Sequence, residues 1–384
     1  MSQTWRFVVF LTIVLGIWTI MHVYVTWRLL HTPVVKSHLS TRALIAVVGF
    51  LWASYPLSRL LDRLGVKYIC RLLEYVGADW MGVLFLLMVA FLAVDVVSGF
   101  GRLLPSASGS LRTGAVVAAG MLSVVAVVQG TRRPVLTNYD ITLDGLPADR
   151  DGLVLVHISD LHVGSLLGVR WLGNVVDRVE ELKPDVIVVG GDLVDGDARE
   201  MEPLRPVLQR LRAPLGVWAV TGNHEYYAGV EHSLGVFGDA GFRVLRDQWR
   251  EVVPGLVFAG VDDLTARRQF GVADDAVGHA LSGRPAGATV FISHTPWKMD
   301  QAAASGVDLM LSGHTHDGQI WPFTYVVRSQ YPLTGGLRQI GGMSLVVCRG
   351  TGTWGPRMRL WRPSEIVRIT LHSSTRPSSS PANR

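Results

Sequence analysis

Apolar residues follow two different rhythms along this chain. Through the first 131 positions they form long unbroken runs, which predict four membrane-crossing helices at about 7–25, 43–61, 80–97 and 114–130. At 1.5 Å per residue the first and third runs alone match a hydrocarbon core. The second and fourth are shorter, but Pro56, Leu57, Leu60 and Leu61 extend the one, and Ala118, Ala119 and Gly120 suit close helix packing in the other. No small-residue cleavage site precedes His31 and further apolar runs follow, so the first run reads as a retained helix rather than a signal peptide. From about Leu136 the rhythm changes to short β-branched strands alternating with amphipathic stretches. Strands are expected at Leu153–Ile158, Val186–Val189, 217–221, 256–261, 289–292 and 309–311, with a helix at 169–182 stopped by Lys183-Pro184. This half, 132–372, is an α/β domain by pattern. Residues 373–384 are Ser/Pro-rich and are predicted to be a disordered tail.

Composition agrees with a membrane half. Of 384 residues 49% are hydrophobic and only 17% charged, and the mean hydropathy is +0.30, values that exclude disordered and fibrous classes. A net charge of +5 on a chain this long is not a nucleic-acid footprint, which needs Lys and Arg gathered on one face, so no nucleic-acid partner is expected. Arg6, Arg59, Arg63, Lys67, Arg71, Arg132 and Arg133 share one side of the predicted helices, against Arg28, Lys36, Arg42, Arg102 and Arg112 on the other. The first side wins narrowly, which favours a multi-pass protein with the C-terminal domain in the cytoplasm. Cys70 and Cys348 are too few and too far apart for a disulfide framework or a cysteine zinc site. Asp95 lies inside the third run, close to its end, where it is either a functional ionisable group or one that snorkels to water.

Polar residues gather just past the expected strand ends, where open α/β sheets place their ligands. Five clusters stand out: Asp160-Leu161-His162, Gly191-Asp192-Leu193-Val194-Asp195, Gly222-Asn223-His224-Glu225, Ser293-His294-Thr295 and Gly313-His314-Thr315-His316. Carboxylate, amide carbonyl and neutral imidazole form a donor set for Mn, Fe or Zn, and the lack of thiolate argues against a structural zinc site. Asp160 and His162, or His314 and His316, can converge on one ion from an extended segment, because side chains two apart point the same way. Any one cluster alone could be an ordinary turn. Five in sequence, each at a strand end, point to a metal centre.

In this order the clusters resemble the calcineurin-like metallophosphoesterase superfamily, over about residues 153–371. The run from Gly313 through Gly318-Gln319-Ile320, with Arg349-Gly350-Thr351-Gly352-Thr353-Trp354-Gly355-Pro356 and the later Glu365-Ile366, resembles its bacterial membrane-associated YkuE/YaeI-like branch. Asp317 departs from that branch, which has glycine there. The resemblance implies a four-layer α/β/β/α sandwich behind the four-helix transmembrane region, in a bacterial cell membrane. It implies two divalent ions, with Asp192 bridging both. Asp160, His162 and His316 would complete one site; Asn223, His294 and His314 the other.

Beside the resemblance, His224 is better cast as an acid than as a ligand, since its neighbour Asn223 turns to the metal, and Asp195 is its expected orienting carboxylate. Arg267 and Arg268 read as solvated surface. Trp297, Trp321 and Trp354 could line an apolar mouth, but packing of the sandwich edge is the safer reading. Together these expectations describe a membrane-bound phosphoesterase that cleaves a phosphoester or pyrophosphate bond with a two-metal-activated hydroxide, manganese being one candidate. Its position beside membrane lipids admits a lipid-linked substrate as well as a soluble phosphodiester. The rival is a non-catalytic sensor or scaffold that binds metal and ligand without turnover. A transporter would need more ionisable groups within the helices.

Overall fold

The computed structural model of the chain describes residues 3–196, 198–272 and 274–374. They fall into two compact units that do not follow chain order. Gly355–Trp361 group with the N-terminal helices up to Thr131, whereas Arg132–Trp354 and the residues from Arg362 onward form the second unit. By sequence, 355–361 belongs to the α/β domain; it is too short, and too rich in arginine, to register in a hydropathy pattern.

The helical unit is built on Gln3–Leu30, Thr41–Arg63, Lys67–Ser98 and Ser108–Thr131, with a short helix Pro33–His38 between the first two. All four long helices carry an apolar stretch long enough to cross a membrane. The third starts well before the expected position 80, because the charges that interrupt its apolar pattern find partners. Glu74 pairs with Arg59 (3.0 Å), and Asp79 takes both the backbone N–H (3.0 Å) and the guanidinium (2.5 Å) of Arg357. Arg357 also lies over the Tyr75 ring, and the N–H of Arg359 donates to the Ala126 carbonyl. Gly130 is required here, since a methyl at that position would meet the backbone of Arg357 and Met358. Asp95 does not snorkel. It is buried, 2.5 Å from the equally buried Arg28 guanidinium, and accepts from the Tyr24 hydroxyl at 2.6 Å.

The α/β unit contains two six-stranded sheets. Its strands are β1 (Val135–Leu143), β2 (Leu153–Ile158), β3 (Val186–Val189), β4 (Val217–Ala219), β5 (Arg243–Val244), β6 (Gln248–Val253), β7 (Leu256–Gly260), β8 (Ala288–Ile292), β9 (Leu309–Ser312), β10 (Gly336–Ile340), β11 (Met343–Val347) and β12 (Glu365–Ser373). The first sheet has the order β1-β12-β2-β3-β4-β5 and the second β10-β11-β9-β8-β7-β6. β2 to β5 run parallel, as do β7, β8, β9 and β11, which brings the C-terminal ends of each set to one edge of its sheet. Ser373, expected to begin a disordered tail, instead pairs with Leu143 at the end of β12. Residues 375–384, the rest of that expected tail, lie outside the described residues.

Alternation along the strands explains the layers. Leu153 and Leu155 of β2, Val186 and Val188 of β3, Phe258 of β7 and Val290 and Ile292 of β8 form a core between the two sheets. The opposite faces, with Val156, Ile158, Ile187 and Val189, pack against the helix Val169–Glu181 through Leu172, Val175, Val176 and Val179. Ala259 and Phe291 pack against helices Ala276–Leu281 and Met299–Ala304 on the far side. The unit is therefore the expected α/β/β/α sandwich, with β-branched strands buried on both faces as parallel sheets require.

Candidate metal centre

Each expected ligand follows the C-terminal end of a strand: Asp160 and His162 after β2, Asp192 after β3, Asn223 after β4, His294 after β8, His314 and His316 after β9. The loops converge. Asp160, His162 and His316 form one trio whose ligand atoms lie within 4.8 Å of one another; Asp192, His294 and His314 form a second, and His162, Asp192 and His224 a third. Asp192 Oδ2 lies 3.1 Å from His294 Nε2 and 3.8 Å from His162 Nε2. Two imidazole nitrogens face each other at 3.1 Å (His162 and His316 Nε2) and two at 3.3 Å (His314 Nδ1 and His294 Nε2).

The convergence does not come from extended segments, as expected from the two-residue spacing. Asp160, His162, Asp192, His314 and His316 all have left-handed backbones, with φ of 55°, 46°, 50°, 69° and 49°. Such a conformation costs a non-glycine residue about 1–3 kcal/mol and persists only where the surroundings enforce it. Here the loops enforce one another. The Asp160 N–H donates to Gly191 O and the His162 N–H to Asp192 O, both at 3.0 Å, and the His314 N–H donates to both Asp160 oxygens. The close approach also demands glycine: a methyl on Gly222 would fall on Asp192 Oδ1, and one on Gly313 on Ser159 Oγ and Asp160 Oδ2.

Glu225, quoted in its cluster but given no role by sequence, is the main brace. Its buried carboxylate accepts four backbone N–H groups: Asp192 (2.9 Å) and Gly222 (2.6 Å) on Oε2, Leu193 (2.8 Å) and Val194 (3.0 Å) on Oε1. Its place three residues after Gly222 is that of a capping-box acid, which foretells the Gly222 bond but not the reach into the Asp192 loop. Asp317 resolves its departure from glycine in a similar way. Its left-handed turn (φ 48°) is tolerated by aspartate, and its carboxylate accepts from Thr334 Oγ1 at 2.7 Å and meets Arg362 Nε at 3.0 Å. Arg267 is not solvated surface but pairs with Asp247 and Asp274.

A metal fits this donor set. Asn223 Oδ1 is buried without a hydrogen-bond partner in a cluster otherwise rich in them. His294 Nδ1 donates to Gly190 O at 2.7 Å, which fixes Nε2 as the nitrogen facing Asp192, the tautomer control usual for metal-ligating histidines. Tyr331, unnoticed in the sequence, holds His314 likewise through Nε2 (2.8 Å), turning Nδ1 inward. Without cations, protons balance the charges. Burial pushes Asp160 up to about 6 and lowers His162 to about 4 and His314 to about 3. Burial also opposes a charge on His294, but Asp192 and Asp160 outweigh it and hold that imidazole well above its ordinary value.

His224 stands apart from the facing nitrogens. Its N–H donates to Asp192 Oδ1 (2.8 Å) and its Nδ1 to Asp195 Oδ1 (3.2 Å), and its ring is edge-on to His162 with centroids 4.5 Å apart. Burial would lower its pKa, yet the Asp192 charge and the Asp195 hydrogen bond raise it to about 9. Trp354 does not pack the sandwich edge, as expected, but stands half-exposed beside His224.

Known proteins resemble this chain over the α/β unit. A family model described as calcineurin-like phosphoesterase matches residues 153–318. An uncharacterized metallophosphoesterase from Aquifex aeolicus is 35% identical over 236 residues, spanning 61% of this chain and 90% of its own. A transmembrane protein with metallophosphoesterase domain from Danio rerio is 34% identical over 324 residues, spanning 78% of this chain and 74% of its own. The uncharacterized metallophosphoesterase YkuE of Bacillus subtilis is 31% identical over 252 residues, spanning 62% and 85%. With its four apolar helices and this cluster of side chains, the chain belongs to the calcineurin-like metallophosphoesterases, enzymes that hydrolyse phosphoric esters, and is similar both to YkuE and to a transmembrane member.

Proposed function

We propose that this enzyme hydrolyses a phosphoester or pyrophosphate bond with two divalent cations. Asp160, His162 and His316 would hold one, Asn223, His294 and His314 the other, and Asp192 both. The observation that carries this reading is the place of Asp192 Oδ2 between His162 and His294, one histidine from each set. Two such ions, when bound, make water nucleophilic near neutral pH and neutralise the phosphoryl oxygens, chemistry that Mn, Fe and Zn all supply. The chain's own residues do the rest. Asp195 takes Nδ1 of His224, leaving Nε2 to donate a proton to the departing oxygen, and the bond from the His224 N–H to Asp192 fixes that imidazole to the metal loop. Four membrane-length helices support a lipid-linked substrate, because a tethered site meets bilayer solutes at raised effective concentration. The Lys/Arg balance supports a cytoplasmic catalytic unit.

The test is hydrolysis of bis-p-nitrophenyl and p-nitrophenyl phosphate by detergent-purified protein, metal-stripped and reloaded with Mn²⁺. Turnover should require metal and vanish in Asp192→Asn. His224→Ala should keep its metal and lose about 10²–10⁴-fold in rate on esters with poor leaving groups. No turnover with metal bound would replace the enzyme reading by that of a metal- and ligand-binding sensor. Equal metal loss in both variants would refute the division of roles.

A further inference from the structure

Two half-exposed aromatic rings flank His224. The centroids of Tyr227 and Trp354 lie 5.3 and 6.3 Å from that of the imidazole, at interplanar angles of 62° and 81°, yet their residues are 52% and 53% exposed. Hydrogen bonds anchor the Trp354 backbone and the Tyr227 side chain. Gln319, in the His316 loop, accepts the Trp354 backbone N–H on Oε1 (2.9 Å) and donates from Nε2 to the Trp354 carbonyl (3.0 Å). The preceding residues lie along the first metal loop, with the Thr351 N–H donating to Ser159 O (2.8 Å) and the Gly352 N–H to Asp160 O (2.9 Å). The Tyr227 hydroxyl donates to Gln269 at 2.7 Å. An anchored backbone thus sets an indole, and a side-chain hydrogen bond a phenol, both half-exposed beside the proton donor.

We propose that Trp354 and Tyr227 form a leaving-group subsite that selects esters whose departing oxygen carries a six-membered ring with a broad face, such as an aryl group or a pyranose sugar. The proposal rests on the phosphoesterase reading, in which water forms the new bond to phosphorus, the bond to the leaving oxygen breaks, and that oxygen takes its proton from His224. Atoms bonded to that oxygen come within reach of both rings. A ring stacks on such faces, whereas a small branched alkyl group offers no matching surface.

Phenyl, α-D-glucosyl and hexafluoroisopropyl phosphates, as monoesters and methyl diesters, are assayed with Mn²⁺-loaded full-length protein. The phenyl and hexafluoroisopropyl groups leave with similar acidity, and the glucosyl arm separates a sugar subsite from an aryl one. In Trp354→Ala, and in Trp354→Leu should the alanine variant fold poorly, kcat/KM for the ring esters relative to hexafluoroisopropyl should fall about tenfold to a hundredfold. Tyr227→Leu should move the ratio the same way. A ratio within about twofold of wild type, at wild-type metal content, overturns the subsite while leaving the phosphoesterase reading intact. Absence of turnover on every ester by the wild type overturns both.

Discussion

Replacing Glu225 with glutamine removes one oxygen acceptor and leaves the shape unchanged. The glutamine oxygen can still meet two of the four N–H groups, but its amide nitrogen must face the other two, donor against donor. Each buried N–H left without an acceptor costs about 1–3 kcal/mol, so the loss is about 2–6 kcal/mol. At roughly 2–4 °C per kcal/mol for a unit on the order of 200 residues, a loss near 3 kcal/mol lowers the melting temperature by roughly 6–12 °C. The effect should be largest in metal-saturated protein. Without cations, burial and the Asp192 charge push the Glu225 carboxyl up to about 7, so removing its charge relieves repulsion and offsets part of the loss. Metal affinity should drop by about 10–100-fold as well, because Glu225 holds the left-handed Asp192 loop. Thermal melts in detergent with saturating and with no Mn²⁺, and equilibrium dialysis of Mn²⁺, measure these quantities. A saturated variant that melts within about 2 °C of wild type would refute the four-bond brace as the support of the loop.

Metal binding should release protons. His294 is held above its ordinary value by Asp192 and Asp160, so at pH 7 it is protonated in the stripped protein and must lose that proton to ligate. Calorimetric titration of Mn²⁺ in buffers of different ionisation enthalpy should show about one proton or more released per chain, with affinity falling as pH drops; heats independent of buffer would contradict this assignment. In the helical unit, Arg28→Met or Asp95→Leu alone strands a buried charge and should cost about 3–5 kcal/mol, whereas the double variant should recover much of the loss. Additive losses in thermal melts of the three variants would show that the two side chains do not act as a pair.

The strands that lead into the candidate centre were legible because parallel strands buried on both faces leave continuous β-branched runs, as Val186–Val189 does. The clusters that meet in the candidate centre were legible because polar groups after such runs have few other uses. The backbone geometry was not. Left-handed φ at five of the clustered residues is imposed by bonds between loops distant in sequence, and local spacing suggested an extended approach instead. The same holds for β12, which inserts between β1 and β2 from the far end of the α/β unit, and so removes Ser373 from the expected tail. Glu225 and Tyr331 act across loops, so neither carries a local signal for that role. Asp95 was visible as an anomaly in an apolar run, but its partner Arg28, on another helix, was not.

Gly355–Trp361 lies in the chain between β11 and β12 of the α/β unit yet groups with the helices. A fragment begun at Arg132 would keep every strand of both sheets and still present Met358 and Leu360, now wholly buried, to water. Such a fragment should be prone to self-association unless that loop is shortened or its apolar side chains replaced. The same dependence bears on inheritance. A new set of membrane helices could not be spliced onto this catalytic unit at residue 131 alone, because the loop would have to change with them, so the two should be exchanged between relatives as one discontinuous piece.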